Sequence, residues 1–529
     1  MAGYEDGAVG GGAPGVEGAG GGTTTTAGKK GLKANAIGFW EGLSIGLDAT
    51  APAYSIAAVL GSMVVVAGIH APAVLWLSFV PMFLIAGAFL YMNRADTDCG
   101  TTFSWVTRAM GPWLGWIGGW AVFTTGVLVI GSLADVAARY LFVMVGADDL
   151  AANRPVVITV AVVIVLVMTW LCVRGTEASA RFQVWLVFAQ VGALLFFVAV
   201  AVVRLVLGNL PEGATNPEWS WLSPSGLTSD QLISGLLIGV FIYWGWESAV
   251  NLSEESTDGD TAPGRAGIWS TVVLVATYLG VGIVTIAAGG VDFVTGYDDD
   301  DALFGAIGDL VLGPLSFVLL LSIITSGIAS TQTTILPASR VSLSMASAGA
   351  FPSIFSRIHE RYGTPSFSTW FIGGVAIAWY VGASAVSDNF LFDSISALSL
   401  MIAFYYALTG VACAIYWRRR LFTSVKAFFF IGVGPLVGAA VLFYLLFESV
   451  RSLADPEASY SGTSVLGIGL PLAIALFFLG LGLVLMLAWR FTVGAAFFSR
   501  RGFETVSDAV ALAALGPTRP GTALPTNEE

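Results

Sequence analysis

Charge is what this chain has least of. Asp, Glu, Lys and Arg make up 11% of its 529 residues, against 56% hydrophobic residues. A soluble globular domain carries about 25% charged residues, so the composition implies an integral membrane protein with many helices. Histidine is also scarce, with His70 and His359 far apart. The three cysteines, Cys99, Cys172 and Cys413, lack metal or redox spacing. An enzyme needs a nucleophile with its base, or a metal cluster. Neither pattern is present, so no catalytic residue, metal or cofactor is expected. No glycine-rich nucleotide-binding loop occurs. The net charge of −12 sits largely in loops and tails and implies no nucleic-acid partner. The N-terminus is Gly-rich and polar rather than a charged stub before an apolar core, so no cleavable leader is expected.

What the chain does have is long apolar runs. Residues 1–28 read as a disordered Gly-rich tail, residues 29–495 as one twelve-helix domain, and residues 496–529 as a polar C-terminal tail. Helix 1 lies within 37–69. The others cover about 73–91, 112–145, 156–173, 180–205, 231–252, 267–291, 312–347, 368–385, 391–417, 427–447 and 465–489; about 20 apolar residues suffice for a crossing. A short interfacial helix is expected over 101–110. The segment 209–228 reads as an outer loop, and the acidic run 298–301 as a solvated loop. If both termini are cytoplasmic, only Arg139, Arg154, Arg204 and Arg451 of the 23 Lys plus Arg fall at or near the outer face. That bias is the positive-inside pattern of a multi-pass protein, expected in the plasma membrane. Asp135 and Arg139 are spaced for a local ion pair.

Two of the helices have the wrong middle for a continuous coil. In helix 1, Pro52 lacks an N–H and disfavours a helical Ala51. Asp48 places an ionisable group at membrane depth, which costs at least ~2.5 kcal/mol when charged. Broken backbone is tolerated there only around an enclosed cavity. The expectation is a half-helix to about Asp48, an unwound stretch, and a second half from Pro52. In helix 6, Gly245 weakens the coil by about 1 kcal/mol and Glu247 is again an ionisable residue. Paired breaks five helices apart point to an inverted repeat with a midplane binding site. The two units are 37–206 and 230–418, with 426–490 forming helices 11 and 12.

Three stretches then carry a family likeness: the small-residue break from Gly42 to Ser55; Gly245-Trp246-Glu247-Ser248-Ala249 with Glu254-Glu255; and Pro337-Ala338-Ser339-Arg340 through Gly349-Ala350-Phe351-Pro352, His359 and Thr364-Pro365. Together they resemble the amino acid–polyamine–organocation transporter superfamily over roughly 31–489. The resemblance implies a leucine-transporter-like fold of five plus five helices with helices 11 and 12 outside.

The break in helix 1 suits a carboxylate, because a half-helix start presents free N–H groups and a positive dipole end. Ala49, Thr50, Ala51 and Ala53 are candidate amides. Asp48 is a candidate ammonium ligand, helix cap or proton carrier. Around helix 6, Tyr243, Trp244, Gly245 and Trp246 are candidate binding residues, and the resemblance implies that one aromatic there is a gate. Glu247 matches an acidic position that the resemblance links to proton transfer, with a structural glutamate as the alternative. Several proton-coupled members place Lys near Gln190, and a neutral amide there is a departure. Tyr405 and Tyr406 are candidates for the site or its outer gate. Ser326, Ser330 and Thr331 are possible sodium ligands, with ordinary helix packing the alternative. The reading is a secondary transporter that imports an amino acid or small amine, coupled to a proton rather than to sodium. Exchange and a non-transporting nutrient sensor are the alternatives.

Overall fold

The computed structural model describes residues 30–209, 213–297, 300–387 and 389–515. The expected disordered tail, 1–28, lies outside them. We label the crossings α1 to α12 in chain order. α1 is interrupted: Phe39–Ala49, then Pro52–Ala57 and Leu60–Ala67. α2 is Ala71–Ala95, α3 Pro112–Met144, α4 Arg154–Arg174 and α5 Thr176–Val206. α6 is Ser229–Phe241 continued by a tighter 3₁₀ stretch, Trp246–Glu255. α7 is Ala262–Thr295, α8 Phe317–Ser347, α9 Ser366–Val386 and α10 Phe390–Tyr416. α11 is Val425–Leu453 and α12 Leu470–Phe491. Among the described residues, eleven helices are long and apolar enough to cross a membrane. The pieces of α1 are each too short on their own, the last running on into α2 as one apolar span, Leu60–Ala95; the arrangement is consistent with the twelve helices expected. The expected interfacial helix is present as Thr102–Met110.

One expectation fails between α7 and α8. The acidic run was read as loop, but a further helix, Asp300–Leu312, begins inside it; Asp298 and Asp299 lie outside the described residues. Leu303, Phe304, Ile307 and Val311 recur at helical spacing and are buried. At 13 residues the helix is too short to register as a crossing. α8 consequently starts at Phe317 rather than near 312.

The first half of α1 packs against α5, α7, α8 and the 3₁₀ part of α6, while α3 and α8 share the most extensive helix–helix contact. Because lipid solvates apolar side chains as well as protein does, charges inside such a bundle must be paired. Asp135 on α3 forms its expected pair with Arg139 at 2.9 Å, and also gathers Arg154 and the Tyr380 hydroxyl, each at 2.5 Å. That cluster ties α3, α4 and α9 together. At the opposite, basic end of the bundle, Arg340 of α8 and Glu255 of α6 form a completely buried pair. The Arg340 Nε donates to Glu255 Oε1 at 2.9 Å and its Nη2 to Oε2 at 3.2 Å. Thr176 joins both partners, accepting from Arg340 at 3.0 Å and donating to Glu255.

Breaking a buried pair on one side leaves an uncompensated charge, at a cost of about 3–5 kcal/mol, whereas an apolar replacement of both is often neutral. Arg340→Met alone is therefore expected to lower the melting temperature steeply. Adding Glu255→Leu should recover most of the loss, measured by thermal unfolding in detergent.

Candidate functional site

The α1 break is built from three successive local decisions. The Thr50 and Ala51 N–H groups bond back to Leu47 and Asp48 carbonyls, both at 3.1 Å, which closes the first half-helix. Ala51 then takes the left-handed conformation, φ +49° and ψ +60°. Pro52 starts the second half, where a missing N–H costs nothing. The Ser55 side chain donates to the Thr50 carbonyl at 2.7 Å, and the Thr50 hydroxyl to the Leu47 carbonyl at 2.6 Å. Of the four candidate amides, Thr50 and Ala51 thus spend their N–H groups on the turn, and Ala49 lies inside the first half-helix. Ala53, completely buried at the second position of the new helix, is left.

α8 holds the two halves in place. Ser330 donates to the Ala49 carbonyl at 3.1 Å, and Ser326 accepts from the Tyr54 N–H at 3.3 Å. Spaced i,i+4, the two hydroxyls share one face and bridge the gap from end to end. Thr331, the third residue of that set, donates to the Gly327 carbonyl of its own helix.

The α6 break lies directly against the α1 break. Gly245 sits at φ +118°, where other residues are strained. A Cβ added there would come within 2.5 Å of the Ala49 carbonyl oxygen. One turn earlier, Gly46 similarly approaches the Trp246 carbonyl. Every residue from Ala49 to Ala53 described above, and Tyr243 to Glu247, is buried. The junction is therefore shielded from solvent.

Around it, the aromatics divide. Tyr243 points into α2 and α7: its hydroxyl donates to the Leu75 carbonyl at 3.0 Å and its ring meets Tyr278 edge-on. Trp246 is packed against Phe89 and Tyr406, with a buried indole N–H that has no hydrogen-bond partner among the described residues. Trp244 donates to the Tyr405 hydroxyl at 2.5 Å. Tyr405 in turn donates to Glu247 Oε1 at 2.5 Å, and Tyr406 donates to Glu247 Oε2. The Gly245 N–H also reaches Oε2, at 3.2 Å. Both Glu247 oxygens are thus occupied, and α10 is coupled to the α6 break through them.

Asp48 differs. It is completely buried on the α5 side of α1, where Gln190 donates to its Oδ1. Among the described residues, its Oδ2 and the Gln190 carbonyl oxygen have no hydrogen-bond partner.

The basic end adds a cluster that sequence reasoning assigned only to topology. Lys30 Nζ lies 2.8 Å from Asp98, 2.5 Å from Glu254 and 3.5 Å from Cys99 Sγ. The chain next to it bonds to α6, through the Ala36 N–H to the Glu255 carbonyl at 2.7 Å. The N-terminal segment is therefore tied to α6 and to the chain just after α2 at that end. Burial pushes Asp98 up, but Lys30, by charge and hydrogen bond, outweighs it and holds the carboxyl near 2. Burial lifts Asp96 to about 6 against the pull of Arg108. The available signal was the pair Glu254-Glu255: in a chain so poor in charge, adjacent carboxylates at a helix end require cations.

Comparison with known proteins now decides the family. A sequence model described as amino acid permease matches residues 46–463. The chain belongs to the amino acid permease family. Among its relatives, the methylthioribose transporter of Bacillus subtilis is 22% identical over 69% of this chain and 79% of its own. The branched-chain amino acid permease BcaP of Lactococcus lactis is 24% identical over 63% and 73%. The human Asc-type amino acid transporter 1 is 24% identical over 60% and 57%. The crystal structure of MhsT in complex with L-phenylalanine matches with a TM-score of 0.52 and 16% identity, over 77% of this chain and 98% of that one. It shows that the permease has the leucine-transporter-like fold.

Two predictions follow from the permease's geometry. Gly245→Ala places a Cβ against Ala49 and forces a left-handed alanine, a strain of about 1–3 kcal/mol. Solute uptake by this variant should fall at least tenfold, with a lower melting temperature. Asp96, raised when folded, binds its proton more tightly in the native state. Its contribution to stability is therefore complete at low pH and declines as pH rises from about 4 to about 6. Asp96→Asn should flatten that part of the melting-temperature profile.

Proposed function

We propose that this permease imports an amino acid or a related small amine across the plasma membrane by alternating access, driven by a proton gradient rather than by sodium. Both termini lie in the cytoplasm, and the basic end of the bundle faces that side. The observation that carries the reading is the abutment of two helix breaks inside a sealed membrane interior. A chain accepts interrupted backbone at that depth where it encloses a cavity or lines a path. The dipole end at Pro52–Ala53 takes the substrate carboxylate, and the carbonyl groups of the α6 break take its ammonium, which leaves Asp48 for the proton. The relatives named for amino acids support this class; the one named for methylthioribose places at least one related substrate outside it.

The choice of proton rests on how the polar groups are used. Ser326 and Ser330 bridge the α1 break and Thr331 bonds within its own helix, so all three hydroxyls have a structural role that needs no sodium ion. Asp48 keeps a buried oxygen with no hydrogen-bond partner among the described residues, and a proton completes it. One coupled charge moving across 100 mV is worth ~2.3 kcal/mol, which at ~1.4 kcal/mol per decade supports about 40-fold accumulation.

The test is uptake into proteoliposomes under an imposed proton or sodium gradient, with the substrate first found by thermal-shift screening against amino acids and polyamines. Asp48→Asn should cut gradient-driven uptake at least tenfold while leaving counterflow exchange measurable. Uptake that follows sodium and ignores the proton gradient would end the proton reading. Strict exchange in the native protein would end the import reading.

A further inference from the structure

A cavity of about 580 Å³ opens at the basic end of the bundle, apart from the helix breaks. Three separate parts of the chain form its walls: Gly31–Lys33, the α4–α5 corner from Arg174 to Arg181, and the turn Ile358–Gly363. The walls are tied to each other. The Lys33 N–H donates to the Gly363 carbonyl at 3.2 Å, and the Thr364 hydroxyl donates to the Val173 carbonyl at 2.8 Å. The turn is also closed on itself, the Gly363 N–H donating to the His359 carbonyl at 2.8 Å and the His359 N–H to the Thr364 carbonyl at 2.8 Å. The cavity is thus preformed.

Its charges do not balance. Lys33, Arg174, Arg181 and Arg361 line it against Glu177 and Glu360. Glu177 is shared by Lys33 at 2.6 Å and Arg181 at 2.5 Å. Among the described residues, Arg174 and Arg361 have no carboxylate partner. Both lie instead on the ring of Tyr362, at 5.8 Å and 5.5 Å, and Arg174 also covers Trp170 at 4.5 Å. Aromatic stacking fixes a guanidinium while leaving its N–H edge free for a bidentate oxyanion. Beside the cavity's α4–α5 wall the surface is apolar: Trp170, under Arg174, and Phe182 and Trp185, next to Arg181 in sequence, are exposed, Trp185 to 76%. In a chain that crosses a bilayer, such a face lies in the acyl region, with the arginines at headgroup level.

We propose that this cavity binds the phosphate of an anionic phospholipid from the leaflet at the basic end, held by Arg174 and Arg361 with its acyl chains along Trp170 and Trp185. Basic pockets between helices on that side recognise such headgroups. Because Lys33 forms one wall, the lipid also secures the segment that carries Lys30 to Asp98 and Glu254. The site is independent of the substrate and the coupling ion.

The experiment is thermal unfolding of the purified full chain in detergent, with phosphatidylglycerol, phosphatidylcholine or inorganic phosphate added at equal phosphorus. A ligand that binds only the folded state raises the melting temperature. Phosphatidylglycerol should raise it by several degrees, with little effect from the other two. Arg174→Gln with Arg361→Gln should abolish the shift, and Arg490→Gln with Arg501→Gln, at other basic positions, should keep it. Should the first double variant fail to fold, native mass spectrometry of the unaltered protein replaces it: retained phosphatidylglycerol should exceed phosphatidylcholine at least tenfold and fall when salt is raised to about 1 M, where screening is nearly complete. Equal shifts from both lipids, a shift that survives loss of both arginines, or equal retention of both lipids would overturn the proposal. A shift from inorganic phosphate as large as that from phosphatidylglycerol would overturn the lipid as its source.

Discussion

Everything near the centre of this permease depends on one constraint: backbone N–H and C=O groups released at membrane depth have no water to bond. The α1 break frees several such groups, and the fold answers for them locally. Thr50, Ser55 and the Ala51 turn satisfy the near side. Ser326 and Ser330 of α8 reach the carbonyl of Ala49 and the N–H of Tyr54, one on each half of α1. The same two bonds make α8 the ruler that fixes the width of the gap. If α8 moves relative to α1, those bonds must lengthen together, so the gap and the helix packing form one mechanical unit.

The second break is held differently. Glu247 has no cation beside it among the described residues; it is satisfied by two tyrosine hydroxyls and a backbone N–H. Those bonds tie α6 to α10, while Gly245 ties it to α1. A carboxylate in this role is a structural clamp first. Asp48 is the contrasting case, with one oxygen held by Gln190 and the other without a hydrogen-bond partner among the described residues. Two acidic residues of equal rank in the sequence therefore have unequal standing in the fold. That inequality directs the coupling argument to Asp48.

How much of this the sequence disclosed varied with the kind of physics involved. Pro52 and Gly245 mark their breaks through backbone chemistry that is local, and both breaks stand where the sequence placed them. The run lengths disclosed the crossings for the same reason. Partners were hidden, because they are set by packing between distant segments. Nothing local to Lys30 says that it lies between Asp98 and Glu254, or that Arg340, legible only as a basic residue near a helix end, is buried against Glu255 and Thr176. The helix Asp300–Leu312 was missed because an acidic run signals solvent, and its apolar repeat is too short to outweigh that signal.

The aromatic residues sharpen the point. Tyr243, Trp244 and Trp246 stand within four positions and look equivalent in a list of candidate gates. Their surroundings separate them: Tyr243 is bonded into α2, Trp246 is wedged between Phe89 and Tyr406, and Trp244 reaches Tyr405 across the break. Moving Tyr243 or Trp246 would cost the packing of a buried ring on several sides. Trp244 is buried as well, but among the described residues it makes no ring–ring contact and is held by a hydrogen bond to a tyrosine that Glu247 also holds. A gate must be able to move without unfolding its frame, and in ring contacts Trp244 is the least tied of the three.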